Sequence, residues 1–153
     1  MSLHPNDEHF MDEALKEARL ALEEGEVPVG AVVVQDGVII GRGHNSREHG
    51  LDIAGHAEIN AINDAARSCG RWSLEGCTLF ATLEPCMMCA GAIRQSRIRT
   101  VVFGAKDEEE GAIVSAFHAF DADNGLITVS YGTREAKCQQ LLRDFFVKKR
   151  KGI

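Results

Sequence analysis

The spacing of apolar residues in the first third of the chain predicts a helix followed by a β-hairpin. Between residues 7 and 24, apolar side chains recur every three or four positions and charged side chains occupy the opposite face. The apolar stripe consists of Met11, Ala14, Leu15, Ala18, Ala21 and Leu22. Two β-branched runs, 29–35 and 38–43, flank Asp36-Gly37, a dipeptide typical of the tight primed turn of a hairpin.

Helical and extended patterns alternate in the middle of the chain. The polar stretch 44–55 is predicted to be a loop, and 56–69 a helix that buries Ile59, Ile62 and Ala66. A strand at 77–83, a helix from Pro85 to residue 95 and a buried strand at 100–104 follow. A strand, helix and strand in this order favour a parallel crossover, and such sheets bind ligands at the carboxyl ends of their strands.

The last third of the chain is less regular. Residues 105–125 contain an acidic run, interpreted as a solvated surface, and have room for a short helix. An alternating strand is expected at 126–131, and Thr133 is expected to cap a final helix that reaches Lys149. This helix is predicted to bury Leu141, Leu142 and Phe145.

Two motifs in the middle of the chain carry a metal-binding pattern. They are H-A-E at 56–58 and P-C-x-x-C at 85–89, and they supply the side chains of His56, Cys86 and Cys89. One imidazole and two thiolates are good zinc ligands, and three protein ligands leave a fourth position open for water, as in catalytic sites. Pro85 suits a helix start, where the free N–H groups and the helix dipole favour thiolates.

The position of Glu58 suggests the reaction. If His56 lies at the very start of a helix, Glu58 stands beside the metal without binding it. Zinc lowers the pKa of a bound water toward neutrality, and Glu58 can take its proton and pass it to a ring nitrogen and to the departing amine. The pair of motifs resembles the signature of the zinc-dependent nucleobase deaminases, and this resemblance implies a hydrolytic deaminase that replaces a ring amine by a carbonyl, with one Zn²⁺ per chain.

Two other interpretations of the cysteines are weaker. A redox pair has no need of His56 or Glu58, and a zinc ribbon requires a second C-x-x-C, whereas Cys69, Cys77 and Cys138 are scattered. A non-enzymatic partner subunit that keeps the metal is a further alternative. Such a subunit is expected to lose the proton shuttle, which this chain retains.

Composition limits the class of protein. A chain of 153 residues suits one domain, 1–153, and no apolar run reaches the roughly 20 residues of a membrane span. Five cysteines, an odd number, favour a reducing compartment, so a cytoplasmic protein is expected.

The net charge of -6 excludes a global attraction of the whole chain to nucleic acid. RNA contacts are therefore expected from a local basic cluster, Lys148, Lys149, Arg150 and Lys151.

Beyond these motifs, the chain resembles the tRNA adenosine deaminases over nearly its whole length. The similarity is carried by the segments 26–31, 43–45, 82–93, 96–98, 102–105 and 144–146. It implies a cytidine-deaminase-like three-layer α/β/α sandwich with a mixed five-stranded sheet, a homodimer, and conversion of adenosine to inosine at the wobble position of tRNA. The substrate-binding residues implied by the resemblance are Asn45, Val27, Pro28, Ala57, Glu84 and Pro85.

The segment 111–126 departs from the family pattern. The family usually has Gly-Ser followed by Asn-His-x-Val, whereas this chain has Val114-Ser115 and then Asn124-Gly125-Leu126. The Gly-Arg-Gly-His-Asn stretch at 41–45 also resembles the fungal-type cytosine deaminases, which act on a free base. A free base or nucleoside such as cytosine or guanine is therefore the alternative substrate.

Overall fold

A five-stranded mixed sheet forms the centre of the computed structural model, which describes residues 5–152. The strands are β1 (Gly30–Gln35), β2 (Val38–His44), β3 (Cys77–Leu83), β4 (Thr100–Ala105) and β5 (Thr128–Tyr131). Their order in the sheet is β2-β1-β3-β4-β5. β1 is antiparallel to β2 and β3, whereas β3, β4 and β5 are parallel. The predicted mixed sheet and the parallel pairing of β3 with β4 are confirmed.

Helices cover both faces of this sheet. They are α1 (Asp7–Glu23), α2 (Ala57–Cys69), α3 (Met87–Gln95) and α4 (Glu135–Arg150). One core cluster joins α2 and α3 to one face of the sheet, and a second joins α1 and the first half of α4 to the other. Successive residues of β1 enter opposite clusters, as the alternation of a strand requires: Val33 enters the first cluster and Val32 the second. The predicted three-layer arrangement is confirmed.

The hairpin between β1 and β2 turns as predicted. Asp36 has φ 50 and Gly37 has φ 77, so both central residues are left-handed, as a primed turn of type I′ requires. A β-bulge between Val33 and Val34 adds a local irregularity that the sequence pattern did not indicate.

The prediction for the inner face of α2 was partly wrong. Ile59 and Ala66 are only half-buried. The buried apolar set is Ala57, Ala61, Ile62 and Ala65. A Cβ on Gly43 of β2 would lie 2.4 Å from the backbone nitrogen of Ala61, so only glycine allows this approach. The helix therefore packs its small residues against the sheet. This packing fixes the rotation of α2 about its axis and so the direction in which the side chains of its first turn point.

Two helix starts differ from the predictions. Helix α3 begins at Met87 rather than Pro85, because Cys86 has extended backbone angles and forms the N-cap. Helix α4 is preceded by Arg134 in the left-handed region, with φ 54, so Thr133 is not its cap. The hydroxyl of Thr133 is buried and has no hydrogen-bond partner within residues 5–152.

The end of the chain packs less tightly than predicted. Cys138 is the only buried residue of α4, and Leu141, Leu142 and Phe145 are half-buried, which contradicts the prediction of a buried stripe. The irregular stretch before β5 contains one turn of 3-10 helix, Asp121–Asp123, so the expected short helix is present. None of the helices within residues 5–152 has the length and apolar character needed to cross a membrane.

Candidate active site

The three predicted metal ligands come together at the starts of two helices. His56 is the N-cap of α2, Cys86 is the N-cap of α3, and Cys89 lies in the first turn of α3. The Nδ1 atom of His56 is 3.5 Å from the sulfur of Cys86 and 3.5 Å from the sulfur of Cys89. All three ligand atoms lie within 4.8 Å of one another. The site is at the carboxyl end of β3, where the crossover to α3 begins.

The spacing of these atoms fits tetrahedral zinc. Bond lengths of about 2.3 Å to sulfur and about 2.05 Å to nitrogen, at a tetrahedral angle, place nitrogen and sulfur about 3.6 Å apart. The separations of 3.5 Å match this value. An imidazole with two thiols is also a donor set that selects zinc over magnesium or calcium.

The two thiols differ in their acidity. The pKa of Cys86 is lowered to about 3, mainly by the hydrogen bond from Cys89, with a further contribution from His56. The pKa of Cys89 is raised, mainly by that same hydrogen bond and by burial. The pKa of His56 is raised, chiefly by its hydrogen bond with Cys86. Cys86 therefore interacts by hydrogen bonding with both Cys89 and His56.

Glu58 lies two residues beyond His56 in the first turn of α2. Only 4% of its surface is exposed, and burial raises its pKa to about 7. Its carboxyl group interacts with the side chain of Cys89. A carboxyl group with a pKa near neutrality can accept and return a proton, which is the property that general acid–base catalysis needs.

A cavity of about 1030 Å³ opens above the ligands. This is at the upper end of the range of about 300–1,000 Å³ found for small-molecule sites. Its walls include Glu58, His56 and Cys86, the loop that contains Leu51, and Phe145 near the end of α4. The cavity therefore joins the metal ligands to three separate parts of the chain.

The cavity contains some of the predicted substrate residues. Val27, Asn45 and Glu84 line it, whereas Pro28, Ala57 and Pro85 are buried and are not among its lining residues. Within the predicted basic cluster, Lys149 lines the cavity. Its three neighbours, Lys148, Arg150 and Lys151, are exposed and lie outside the lining.

Asn45 is held in place from both sides. It is 9% exposed, and its backbone N–H donates to the carbonyl of Val29 at 3.2 Å. The side-chain amide of Asn60 donates to the carbonyl of His44 at 2.9 Å and to the hydroxyl of Ser46 at 3.0 Å. The contacts on either side of Asn45 fix the backbone that presents its side chain to the cavity.

Two loops that the sequence did not assign to the site form much of its rim. The first loop lies at 47–53. Buried Glu26 holds it by accepting hydrogen bonds from the backbone N–H groups of Glu48 at 3.2 Å and His49 at 2.5 Å.

The second loop of the rim begins at Asp107, whose backbone N–H donates to the carboxylate of Glu84. Burial opposes the ionisation of Glu84, but hydrogen bonds from this loop lower its pKa below the usual value. No periodicity in the sequence indicates these long-range contacts.

The fold and the site define a class of enzyme. The sequence profile described as "Cytidine and deoxycytidylate deaminase zinc-binding region" matches residues 4–105, which contain His56, Glu58, Cys86 and Cys89. The chain therefore belongs to the cytidine and deoxycytidylate deaminase family.

Within that family, the chain belongs to the tRNA-specific adenosine deaminases. It is 46% identical over 147 residues to the tRNA-specific adenosine deaminase of Bacillus subtilis (strain 168), covering 95% of this chain and 91% of that protein. A solved structure described for A-to-I editing by tRNA:A34 deaminases superposes with a TM-score of 0.84 at 42% identity, over 88% of this chain and 99% of the other. The guanine deaminase of Nitrosomonas europaea superposes with a TM-score of 0.82 at 25% identity, over 96% of this chain and 87% of the other.

Proposed function

We propose that this protein hydrolyses the exocyclic amine of adenosine at position 34 of tRNA, which yields inosine and ammonia. The observation that carries the proposal is the cluster of His56, Cys86 and Cys89 beside buried Glu58 in an open cavity. The relatives named tRNA-specific adenosine deaminase support the choice of substrate. The whole chain, 1–153, serves as a single zinc-dependent deaminase domain.

The chemistry is divided between a metal and one carboxyl group. Zinc bound by His56, Cys86 and Cys89 would polarise water for attack on the ring carbon that bears the amine. Glu58 would accept one proton of that water and deliver it to the ring nitrogen, then take the second proton from the added hydroxyl group and deliver it to the departing amine, which leaves as ammonia while the hydroxyl becomes the carbonyl. One water is consumed and one ammonia is released for each base converted.

The remaining cavity residues serve to bind the substrate. Asn45 hydrogen-bonds the nucleoside, and Val27, which lines the cavity, contacts the base. Pro28, Ala57 and Pro85, which are buried behind the lining residues, support the walls of the pocket without contacting the substrate. The basic cluster of Lys148, Lys149, Arg150 and Lys151 contacts RNA phosphates, and the position of Lys149 in the cavity wall supports this role.

A free base or nucleoside, such as guanine or cytosine, is the second candidate substrate. The similarity of the fold to the Nitrosomonas guanine deaminase favours it, because that protein shares the architecture over 96% of this chain. The two candidates differ in the need for a polynucleotide. The tRNA substrate requires phosphate contacts outside the cavity, whereas a free base requires none.

An ammonia-release panel distinguishes these substrates. Zinc-loaded protein is incubated with a tRNA anticodon stem-loop, adenosine, cytosine, cytidine and guanine, and ammonia is measured for each. Turnover of the stem-loop with little release from the free bases and nucleosides is expected. Robust turnover of guanine or cytosine alongside an inert stem-loop would reject the tRNA proposal in favour of the second candidate.

We further propose that the protein is a cytoplasmic homodimer. Four apolar side chains at the cavity rim are exposed: Leu51 at 92%, Ile53 at 74%, Met87 at 54% and Met88 at 37%. An exposed apolar patch on a folded protein usually marks an interaction surface, and a second copy that packs at α3 would cover this one. The cytoplasm is where a tRNA substrate and free thiols are both maintained.

Light scattering after gel filtration tests the dimer. A mass of twice 16.7 kDa is expected for the native chain. Ile53→Glu should shift the mass toward the monomer, because a charge would be buried at the interface. Val38→Glu, at an exposed apolar position in the hairpin, is the matched control and should leave the mass unchanged. A monomeric native chain would reject the proposal.

A further inference from the structure

The carboxylate of Glu84 is surrounded by the backbone of a distant loop. Glu84 follows directly after β3, and only 2% of its surface is exposed. Its Oε2 atom accepts the N–H groups of Ile113 at 3.1 Å, Val114 at 2.8 Å and Ser115 at 3.0 Å. Three consecutive amides that point at one oxygen form an anion-binding nest, and here the anion is a side chain of the protein itself.

The second oxygen of the same carboxylate holds the beginning and the end of that loop. Oε1 accepts the N–H of Asp107 at 3.1 Å and the hydroxyl of Ser115. The backbone passes so close that a Cβ on Gly111 would lie 2.4 Å from the Glu84 carboxyl carbon. Ala112 also donates to the carbonyl of Pro85 at 2.8 Å. One side chain thus determines the path of the chain from 107 to 115.

This loop forms one wall of the substrate cavity. Asp107 and Glu110 line the cavity, and the carboxylate of Asp107 accepts the N–H groups of Glu109 and Glu110, each at 3.1 Å. Glu84 itself stands two residues before the ligand Cys86. The carboxylate therefore links the segment that carries a metal ligand to the opposite wall of the site.

We propose that Glu84 is a positioning residue that fixes the wall at 107–115 and thereby sets the affinity for the RNA substrate without contacting it. This assignment rests on the proposed function. It differs from the role expected from the sequence, in which Glu84 bound the substrate. Among the described residues, the carboxylate accepts five hydrogen bonds and all of them come from the loop, so both oxygens are already engaged.

Glu84→Gln is the sharpest test, because it keeps the volume and replaces one acceptor oxygen by an NH₂ donor. In either orientation, that NH₂ group faces at least one backbone N–H that then has no acceptor, that of Asp107 at one position or those of residues 113–115 at the other, so the loop should be held less tightly. Hydrogen exchange should show faster exchange across 107–115, with the amides of α2 unchanged. Glu108→Gln is the matched control, since Glu108 is an exposed glutamate of the same loop. It should leave the exchange pattern as in the native protein.

Steady-state kinetics on the anticodon stem-loop distinguish positioning from general damage. With full zinc content, Glu84→Gln should raise KM at least about tenfold, while kcat changes by less than about threefold. Ser115→Ala removes one of the five hydrogen bonds and should produce a smaller change in the same direction. It also provides the test if Glu84→Gln does not fold.

Three results would overturn the proposal. Retained protection at 107–115 together with a raised KM would mean that Glu84 contacts the substrate directly. Unchanged exchange and unchanged KM would mean that the nest has no role in binding. A fall in kcat alone would place the effect at the metal ligands. If the native protein does not deaminate the stem-loop, the proposed function fails, and hydrogen exchange still decides whether Glu84 holds the loop.

Discussion

The Nδ1 atom of His56 lies 3.5 Å from the sulfur of Cys86, although 30 positions separate the two residues in the chain. Because this spacing matches tetrahedral zinc, purified protein should contain about one zinc per chain. Cys86→Ala should lose most of the metal, since two ligands do not hold zinc tightly. Metal analysis by mass spectrometry measures the zinc content of the native protein and of the variant.

The control for the metal site is Cys69→Ala. Cys69 ends α2, outside the metal-binding cluster, so the variant should keep full zinc occupancy. Full occupancy in Cys86→Ala would remove Cys86 from the site.

Glu58→Gln should keep the fold and the zinc but lose nearly all turnover. General acid–base catalysis typically raises the rate ~10²–10⁴-fold. Because this carboxyl group serves several proton transfers, kcat should fall by about 10⁴-fold or more. The measurement is kcat for the stem-loop with zinc-loaded protein. Glu75→Gln, at an exposed position, is the control and should retain native turnover. Near-native activity of the Glu58 variant would refute the mechanism.

Asn45→Ala should raise KM without altering metal content. One buried hydrogen bond contributes about 0.5–1.5 kcal/mol net, and more if a partner is left unpaired, so KM should rise by roughly tenfold. Asn63→Ala, at an exposed position of α2, makes the same chemical change away from the cavity. Unchanged kinetics in the Asn45 variant would show that this residue only shapes its loop.

Neutralising the basic cluster should weaken RNA binding and flatten its dependence on salt. Lys148, Lys149, Arg150 and Lys151 are all exposed at the end of α4, and glutamine at all four keeps helix propensity. Each phosphate contact contributes about 0.7–0.9 to the log–log slope, so if two of the four side chains bind phosphate, the slope should fall by roughly 1.5. Binding is measured over a series of salt concentrations.

The control for the basic cluster removes two other positive charges from the same helix, Lys137→Gln with Arg143→Gln. It should change the slope much less if the contacts are local to the helix end. A slope that is the same in the fourfold variant and the native protein would show that the cluster does not bind RNA. Deamination of a small base, if the protein performs it, should hardly change in the control variant, whose two substituted residues lie outside the cavity lining.

Glu13 should stabilise the fold at neutral pH more than in acid. Its carboxylate lies 2.6 Å from Arg42 of β2 and 2.5 Å from Lys16, and their hydrogen bonds lower its pKa to about 2. An unfolded glutamate titrates near about 4.3, so the stabilisation is complete above that pH and is lost as the pH falls toward 2.

Urea unfolding of Glu13→Gln measures this effect. Because the ion pair is partly exposed, the loss at pH 7 should be only roughly 1 kcal/mol. The difference from the native protein should be smaller at pH 3. Glu23→Gln, at an exposed position near the end of α1, should show little loss at either pH. A difference for Glu13→Gln that does not depend on pH would contradict the assignment.

Much of the fold was predictable because its signals are local. The period of α1, the Asp36-Gly37 turn and the β-branched runs each reflect the backbone preferences of a few neighbouring residues. The side chains that could bind a metal were also predictable, because one histidine and two cysteines in these two motifs are typical of a zinc site. The same reasoning predicted Glu58 as the proton carrier, and its buried position beside Cys89 is consistent with that role.

The tertiary structure alone decided how these parts meet. Which face of α2 turns inward depends on Gly43 of β2, a contact that no periodicity within the helix reveals. The role of Glu84 likewise depends on amides from a loop about 30 residues away. Sequence patterns report preferences over a few residues, whereas hydrogen bonds across the fold and close backbone approach depend on where distant segments pack. The sequence by itself therefore determined which side chains could bind a metal, and the packed structure determined the walls of the cavity.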